Sequence, residues 1–365
     1  MSLAYLLALH SLNGLGNQKL KQLLDYFGDG ETAWQNPTEW SDALQISKTA
    51  MAALLEAKRG IVPDLLYEQF LAAGAKVVTL ADADYPALLR QIYQPPYLLF
   101  YKGTLPRGSD LAIAIIGSRK ATSYGKDVAA VLGRDLAKAG VWVVSGLARG
   151  IDAAGHQGAL AGGGNTIGVL GCGIDVIYPR EHRELFQRVE EHGCIISDFP
   201  LGTQPLAKNF PVRNRIISGL ANGLVVVEAA GKSGTQITVD FALEQGRDIF
   251  AVPGPIFSPL SQGTHRLIRD CGVKLVTCAA DILEEYGQLS FDLAPSQPAK
   301  QKQEAVLSEQ EEKLCRFLTV PRHFNDILIE MAMQPQELGP FLTVCELRGY
   351  ISRLEGQYYR KKIQL

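Results

Sequence analysis

The chain has 365 residues, a length that two or three domains share more naturally than one. At 47% hydrophobic and 20% charged it holds enough apolar material for sizeable cores, which excludes a wholly disordered chain. The 36 basic and 38 acidic side chains leave a formal net charge of -2, so any nucleic-acid surface must be a local patch and not a field of the whole molecule.

The opening residues Met1-Ser2-Leu3-Ala4-Tyr5 carry no basic run ahead of the apolar stretch, so no signal peptide is expected. No apolar run approaches the length of a membrane span. The six cysteines (Cys172, Cys194, Cys271, Cys278, Cys315, Cys345) form no CxxC pair. They read as buried thiols in a reducing, cytoplasmic setting, with neither a zinc site nor a disulfide framework.

Residues 1–75 read as a helical domain. Within it, Leu12-Asn13-Gly14-Leu15-Gly16-Asn17 places two glycines ahead of apolar residues at helical spacing. This is similar to a helix-hairpin-helix, whose tight turn lets backbone N–H groups approach a phosphate. An ordinary turn in a small helical bundle is the alternative. From Lys76 the pattern changes. Apolar, β-branched runs at 77–80, 97–101, 111–117, 141–145, 166–170, 194–197, 224–227 and 248–252 alternate with helical stretches, among them 180–192 and 235–245. Uniformly apolar strands alternating with helices predict a doubly wound α/β domain, a mostly parallel sheet covered on both faces, over 76–290. Residues 291–304, rich in Pro, Ser, Gln and Lys, read as a linker. In 305–365, helices at 308–319, 324–331 and 336–348 followed by a two-stranded hairpin predict a winged-helix-like domain.

In open parallel sheets, ligands lie at the carboxyl ends of strands. Those ends read Gly117-Ser118-Arg119, Gly146-Leu147-Ala148-Arg149-Gly150-Ile151-Asp152, Gly171-Cys172-Gly173 leading to Tyr178-Pro179, and Glu228 followed by Gly231-Lys232-Ser233-Gly234-Thr235. Glycines admit an anion close to the backbone and helix N-termini supply N–H groups, so several such ends in one crevice predict a polyanion site. Cofactor readings fail: the first strand is not followed by Gly-x-Gly-x-x-Gly, and Ala229-Ala230-Gly231-Lys232-Ser233 keeps only the end of a Walker A loop. No cofactor and no metal are expected. Asp152 and His156 stand four apart and read as a local helix pair, not as a base with its orienter, and no catalytic set is readable.

Lys208-Asn209-Phe210-Pro211-Val212-Arg213-Asn214-Arg215 gathers three cations and an Asn around one aromatic at the start of an expected helix. Guanidinium forks bind phosphate and a Phe face stacks an unpaired base. The alternative is a core Phe210 with arginines paired to Asp198 or Glu228.

Each motif is weak alone, but their order is specific. Gly-Ser-Arg, Ser-Gly-x-Ala-Arg-Gly-Ile-Asp, Gly-x-Gly-x-Asp-x-x-Tyr-Pro, Phe-Pro-x-Arg-Asn-Arg-Ile-Ile-Ser-Gly-Leu, Ser-Gly-Thr and Phe-Ala-Val-Pro-Gly follow one another over about 84–286. In this the chain resembles the DprA/Smf family. The resemblance implies a Rossmann-like, non-enzymatic, homodimeric single-stranded DNA binder without sequence preference. Such a protein protects incoming DNA and loads the recombinase RecA in natural transformation, with single-strand-binding protein as a further partner. It implies that Arg119, Lys208, Phe210, Arg213, Asn214 and Arg215 lie on DNA-binding motifs. Gly117, Ser118, Arg149, Lys232, Ser233 and Thr235, from the strand-end loops, complete the expected site. Residues 275–283, apolar and near the last strand, are the expected dimer surface, with mere covering of the sheet edge as the alternative. Asp198 stands where Glu is expected, and Gln236 and His265 also depart from the pattern. Two rival functions remain: a nucleotide phosphoribohydrolase, which needs a Gly-Gly-x-Gly-Thr loop absent here, and a transcription regulator, which rests on the tail alone.

Overall fold

The computed structural model describes residues 3–231, 233–287 and 308–361. The expected linker at 291–304 and Lys232 lie outside the described residues. The chain divides into two compact units, one ending at Leu289 and the other beginning at Ser290.

The first unit opens with short helices: α1 (Leu3–His10), α2 (Asn17–Phe27), α3 (Gly30–Gln35), α4 (Trp40–Leu44), α5 (Lys48–Arg59) and α6 (Pro63–Ala72). Their apolar faces meet around Trp40, which is fully buried and donates its indole N–H to the Ala33 carbonyl at 2.7 Å. A buried Trp needs such a partner for its one polar atom. The same apolar cluster continues through Phe100, Leu147 and Leu170, so these helices pack directly on the sheet that follows.

That sheet has nine strands in the order β1-β2-β6-β5-β4-β3-β7-β8-β9. They are β1 (Lys76–Thr79), β2 (Leu98–Gly103), β3 (Ala112–Ile116), β4 (Trp142–Ser145), β5 (Thr166–Val169), β6 (Gly193–Ser197), β7 (Gly223–Val226), β8 (Asp248–Ala251) and β9 (Lys274–Leu275). The strands from β6 to β9 are parallel, and β1 and β2 add an antiparallel edge. Every residue of β3 is buried, as the uniformly apolar sequence requires of a strand covered on both faces. The covering helices of the α/β part are α7 (Ala87–Arg90), α8 (Ser123–Lys138), α9 (Ile151–Ala161), α10 (Arg183–Glu191), α11 (Asn209–Gly219), α12 (Gly234–Glu244), α13 (Gln262–Cys271) and α14 (Ala279–Leu283). The mostly parallel, doubly wound α/β architecture read from the sequence is the one observed. Helices α8 and α9 touch backbone to backbone. A methyl group at Gly158 would stand 2.1 Å from the Ala130 carbonyl oxygen, so only glycine permits this approach.

One strand was not anticipated. β9 is two residues long and follows α13 as the last parallel strand. It places Val276, Ile282 and Leu283 of the expected dimer stretch in the core, while Leu275 is exposed. Cys271 and Cys278, on either side of β9, are exposed and not buried as expected, whereas the other four cysteines are buried. No helix among the described residues is long and apolar enough to cross a membrane.

The second unit contains α15 (Glu309–Phe317), α16 (Phe324–Met331) and α17 (Pro335–Leu347), with a small antiparallel sheet in the order β10-β12-β11. β11 (Ile351–Leu354) and β12 (Tyr358–Lys361) form the expected hairpin, and β10 (Arg322–His323) adds a third strand. Leu314, Ile327, Leu338, Leu342 and Ile351 fill its separate core. Ser308 caps α15 by accepting from Glu311 N–H, and the Glu311 carboxylate in turn accepts from the Ser308 N–H at 2.8 Å.

Candidate nucleic-acid interface

Strand order reverses at β3: β4, β5 and β6 lie to one side and β7, β8 and β9 to the other. At such a switch point the following connections leave in opposite directions and open a crevice at the carboxyl edge. The crevice is present as an open cleft of about 480 Å³. Gly117, Ser118 and Arg119 line it from β3, Asp152 from α9, Tyr178 from the loop after β5, Phe210, Arg213 and Asn214 from α11, and Ser233 and Thr235 from the start of α12.

The loops are held by short-range bonding that the sequence dictates locally. Ser118 N–H donates to the Glu228 carbonyl at 2.8 Å, tying the end of β3 to that of β7. The Ser118 hydroxyl accepts from Lys120 N–H at 3.1 Å, which turns Arg119 outward. Glu228, buried, accepts from the backbone N–H of Thr122 at 2.9 Å and from its hydroxyl at 2.5 Å. It braces the N-terminus of α8, whose dipole favours a negative charge there.

Phe210 is half-buried at the centre of the cleft. The Arg119 guanidinium lies 5.0 Å from its ring centroid, that of Arg213 5.8 Å, and the Tyr178 ring 5.6 Å. Glycine at 171 is needed for this placement, because a methyl group there would stand 2.9 Å from Phe210 Cδ1. The ring is thus bordered by backbone, a second aromatic and an exposed cation, an arrangement suited to a flat unpaired base with its phosphate nearby.

Arg213 and Arg215 part company. Arg213 is buried, donates to the Gly146 carbonyl at 3.0 Å and to the Val169 carbonyl, and lies by Asp152. Burial lowers its pKa to about 10, with Asp152 acting in the opposite direction, so it stays charged at neutral pH. The Asp152 carboxyl is pushed up by burial and held down by Arg213 and by the Ala148 and Gly146 amides. Arg215 lines a second cleft, pairs with Asp198 at 3.0 Å and donates to the Gln94 carbonyl. The pairing with Asp198 weighed from sequence therefore holds for Arg215, while Glu228 is engaged by Thr122 instead.

The remaining candidates spread around the rim. Lys208 is exposed at the N-cap of α11. Arg149 pairs with Glu181 beside a small pocket behind Phe210. The Asp152–His156 pair does not form. His156 turns into the core, where its Nδ1 lies 2.7 Å from the Thr166 hydroxyl, which itself donates to the Val143 carbonyl. Gly171 and Tyr178, of the Gly-x-Gly-x-Asp-x-x-Tyr-Pro motif, belong to the site beside the expected DNA-contacting residues. An aromatic two turns of loop beyond a strand end was the available signal.

The family described as DNA recombination-mediator protein A matches residues 76–287, which include the whole cleft. The chain belongs to the DprA/Smf family. Protein Smf of Escherichia coli is 40% identical over 289 residues, spanning 77% of this chain and 76% of that protein. DNA processing protein DprA of Streptococcus pneumoniae is 40% identical over 276 residues, spanning 75% of this chain and 95% of that protein. The X-ray structure of the Streptococcus pneumoniae DprA superposes with a TM-score of 0.69 at 36% identity, covering 77% of this chain and 97% of that one. A Helicobacter pylori DprA, solved to study its single-stranded DNA binding mode, gives 0.52 at 27% identity over 59% of this chain and 98% of its own. The DprA/Smf match covers the sheet and every element that lines the switch-point cleft.

Proposed function

We propose that this DNA-processing family member binds single-stranded DNA, without strong sequence preference, in the cleft at the β3–β7 switch point. The observation that carries the reading is the half-buried Phe210 between Arg119 and Tyr178. Unpaired bases can stack there and paired ones cannot. The Helicobacter pylori relative, named for its single-stranded DNA binding mode, supports the same use of the fold. In this proposal Gly117, Ser118 and Arg119, with Ser233 and Thr235, form the phosphate-facing rim, and Lys232, next to Ser233 in sequence, is a further DNA contact. Lys208, Phe210 and Asn214 hold the adjoining nucleotide, and Arg149 extends the basic path. Arg213 and Arg215 serve first as internal supports of α11.

The role is a carrier's and not an enzyme's. Glu228, the acid that a phosphoribohydrolase reading would use, is fully engaged at α8. Protection of incoming strands, delivery to RecA, contact with single-strand-binding protein, a cytoplasmic site of action and a homodimer that uses the exposed part of residues 275–283, Leu275 among it, complete the proposal. So does a division into a helical domain at 1–75, the DNA-binding domain at 76–290 and a winged-helix-like domain at 305–365 after the linker. A titration of labelled oligo-dT and of a matched duplex tests the central point. Single strands are expected to bind at least about tenfold more tightly, one stacking contact being worth about 1–3 kcal/mol. Equal affinities would refute the proposal.

A further inference from the structure

A second cleft, about 590 Å³ in volume, lies between the N-terminal helices and the sheet, lined by His10, Asn13, Gly16, Gln94, Asp198 and Arg215. It lies on the far side of α11 from the first cleft: Arg213 and Asn214 line one, Val212 and Arg215 the other. A helix with its side chains is about 10–12 Å across, so a strand crossing α11 reaches both.

The chemistry of this cleft differs from that of a phosphate site. Asp198 gives one carboxylate oxygen to Arg215 at 3.0 Å, while its Oδ1 is buried with no hydrogen-bond partner among the described residues. His10 Nδ1 is likewise buried without a partner. Burial lowers the His10 pKa to about 4, the Asp198 backbone acting in the opposite direction, so the ring is neutral and offers an acceptor. Buried acceptors left unfilled are costly, and a carboxylate oxygen repels a phosphate. What completes them is a donor. A carboxylate accepts from the exocyclic amino group of cytosine, a group that thymine lacks. Gln94, held at a positive φ of 53°, supplies the carbonyl that fixes Arg215 and so the orientation of Asp198.

We propose that this cleft is a base-reading subsite that takes an amino-bearing nucleobase from the strand held at Phe210, with Asp198 as its principal acceptor. The inference rests on the single-strand reading and adds one position of sequence preference to it.

The test compares oligo-dC with oligo-dT of equal length at neutral pH and fixed salt. The two pyrimidines stack alike on Phe210, so their ratio isolates the second cleft. The wild-type chain is expected to favour oligo-dC by about fivefold, the lower range for one specific base contact. Asp198→Asn is expected to bring the ratio close to one while oligo-dT affinity is kept. Gly16→Leu supplies an independent variant. Gly16 lines the cleft and a Cβ there meets nothing within 4 Å, so a leucine has room to enter the cleft without replacing either member of the Asp198–Arg215 pair. It should abolish the preference, while the thermal midpoint falls only by the small cost of a leucine at the α2 N-cap. A wild-type ratio of one, or a preference that survives in Gly16→Leu, overturns the subsite while leaving oligo-dT binding intact. Failure of both oligonucleotides to bind overturns the single-strand reading itself.

Discussion

Phe210→Ala weakens binding of oligo-dT by about 1–3 kcal/mol, the loss of one base stack, and leaves the dependence on salt almost unchanged. Stacking releases no counterions, so only the intercept of log affinity against log salt should fall. Arg119→Ala behaves in the opposite way. Its guanidinium is exposed at the mouth of the cleft, 5.0 Å from the Phe210 ring, and forms no ion pair among the described residues. Each phosphate contact on a single strand contributes about 0.7 to the salt slope, and the variant should lose that increment. Fluorescence anisotropy over a salt series separates the two effects. A Phe210→Ala variant whose slope falls, or an Arg119→Ala variant whose slope does not, would reverse the assignment of stacking and positioning.

The second large effect is on stability. Arg213→Met should destabilise the first unit by about 3–5 kcal/mol, because it strips the buried Gly146 and Val169 carbonyls of their donor and takes the nearby compensating cation from the buried Asp152 carboxyl. The residue is 3% exposed, bonds to the ends of β4 and β5 through the Gly146 and Val169 carbonyls, and faces the carboxyl of Asp152. A sign follows for pH. Burial already raises the Asp152 pKa, and without Arg213 it rises further. A carboxyl whose folded pKa exceeds its unfolded value, about 3.9, lowers stability as pH rises from the unfolded pKa to the folded one. The deficit of Arg213→Met should therefore be smallest below about pH 4, where Asp152 is protonated in both states, and grow as pH rises. Thermal midpoints across that range measure it. An unshifted midpoint together with a salt slope lowered by about 0.7 would make Arg213 a phosphate ligand instead.

Much of this was legible in the sequence because the parallel sheet writes its strands as uninterrupted apolar runs. β3 and β4 are buried along their whole length, and their hydrophobicity leaves no other reading. The strand-end glycines and the aromatic–basic cluster located the cleft together, because Gly117, Gly146 and Gly171 stand where a side chain would collide with Ile151, Arg213 and Phe210. Two features were harder. β9 has two residues, too few to show a period, and it turned half of an expected surface into core. Arg213 and Arg215 belong to one sequence motif, but they lie on α11 two residues apart. Positions i and i+2 of a helix do not face the same side. Once α11 begins at Asn209, one of the two must turn inward or away from the cleft. The Asp198–Arg215 pair spans 17 positions of chain and depends on tertiary placement alone.

The central claim is that an unpaired strand lies on Phe210 in the switch-point cleft. Photo-crosslinking with oligo-dT carrying a single 5-iododeoxyuridine, followed by mass spectrometry of the joined peptides, tests it most directly, since the excited base attacks aromatic side chains it touches. The account predicts crosslinks at Phe210 and Tyr178, lost when unlabelled oligo-dT competes. Crosslinks confined to residues 308–361, with none near α11 or the loop after β5, would contradict it.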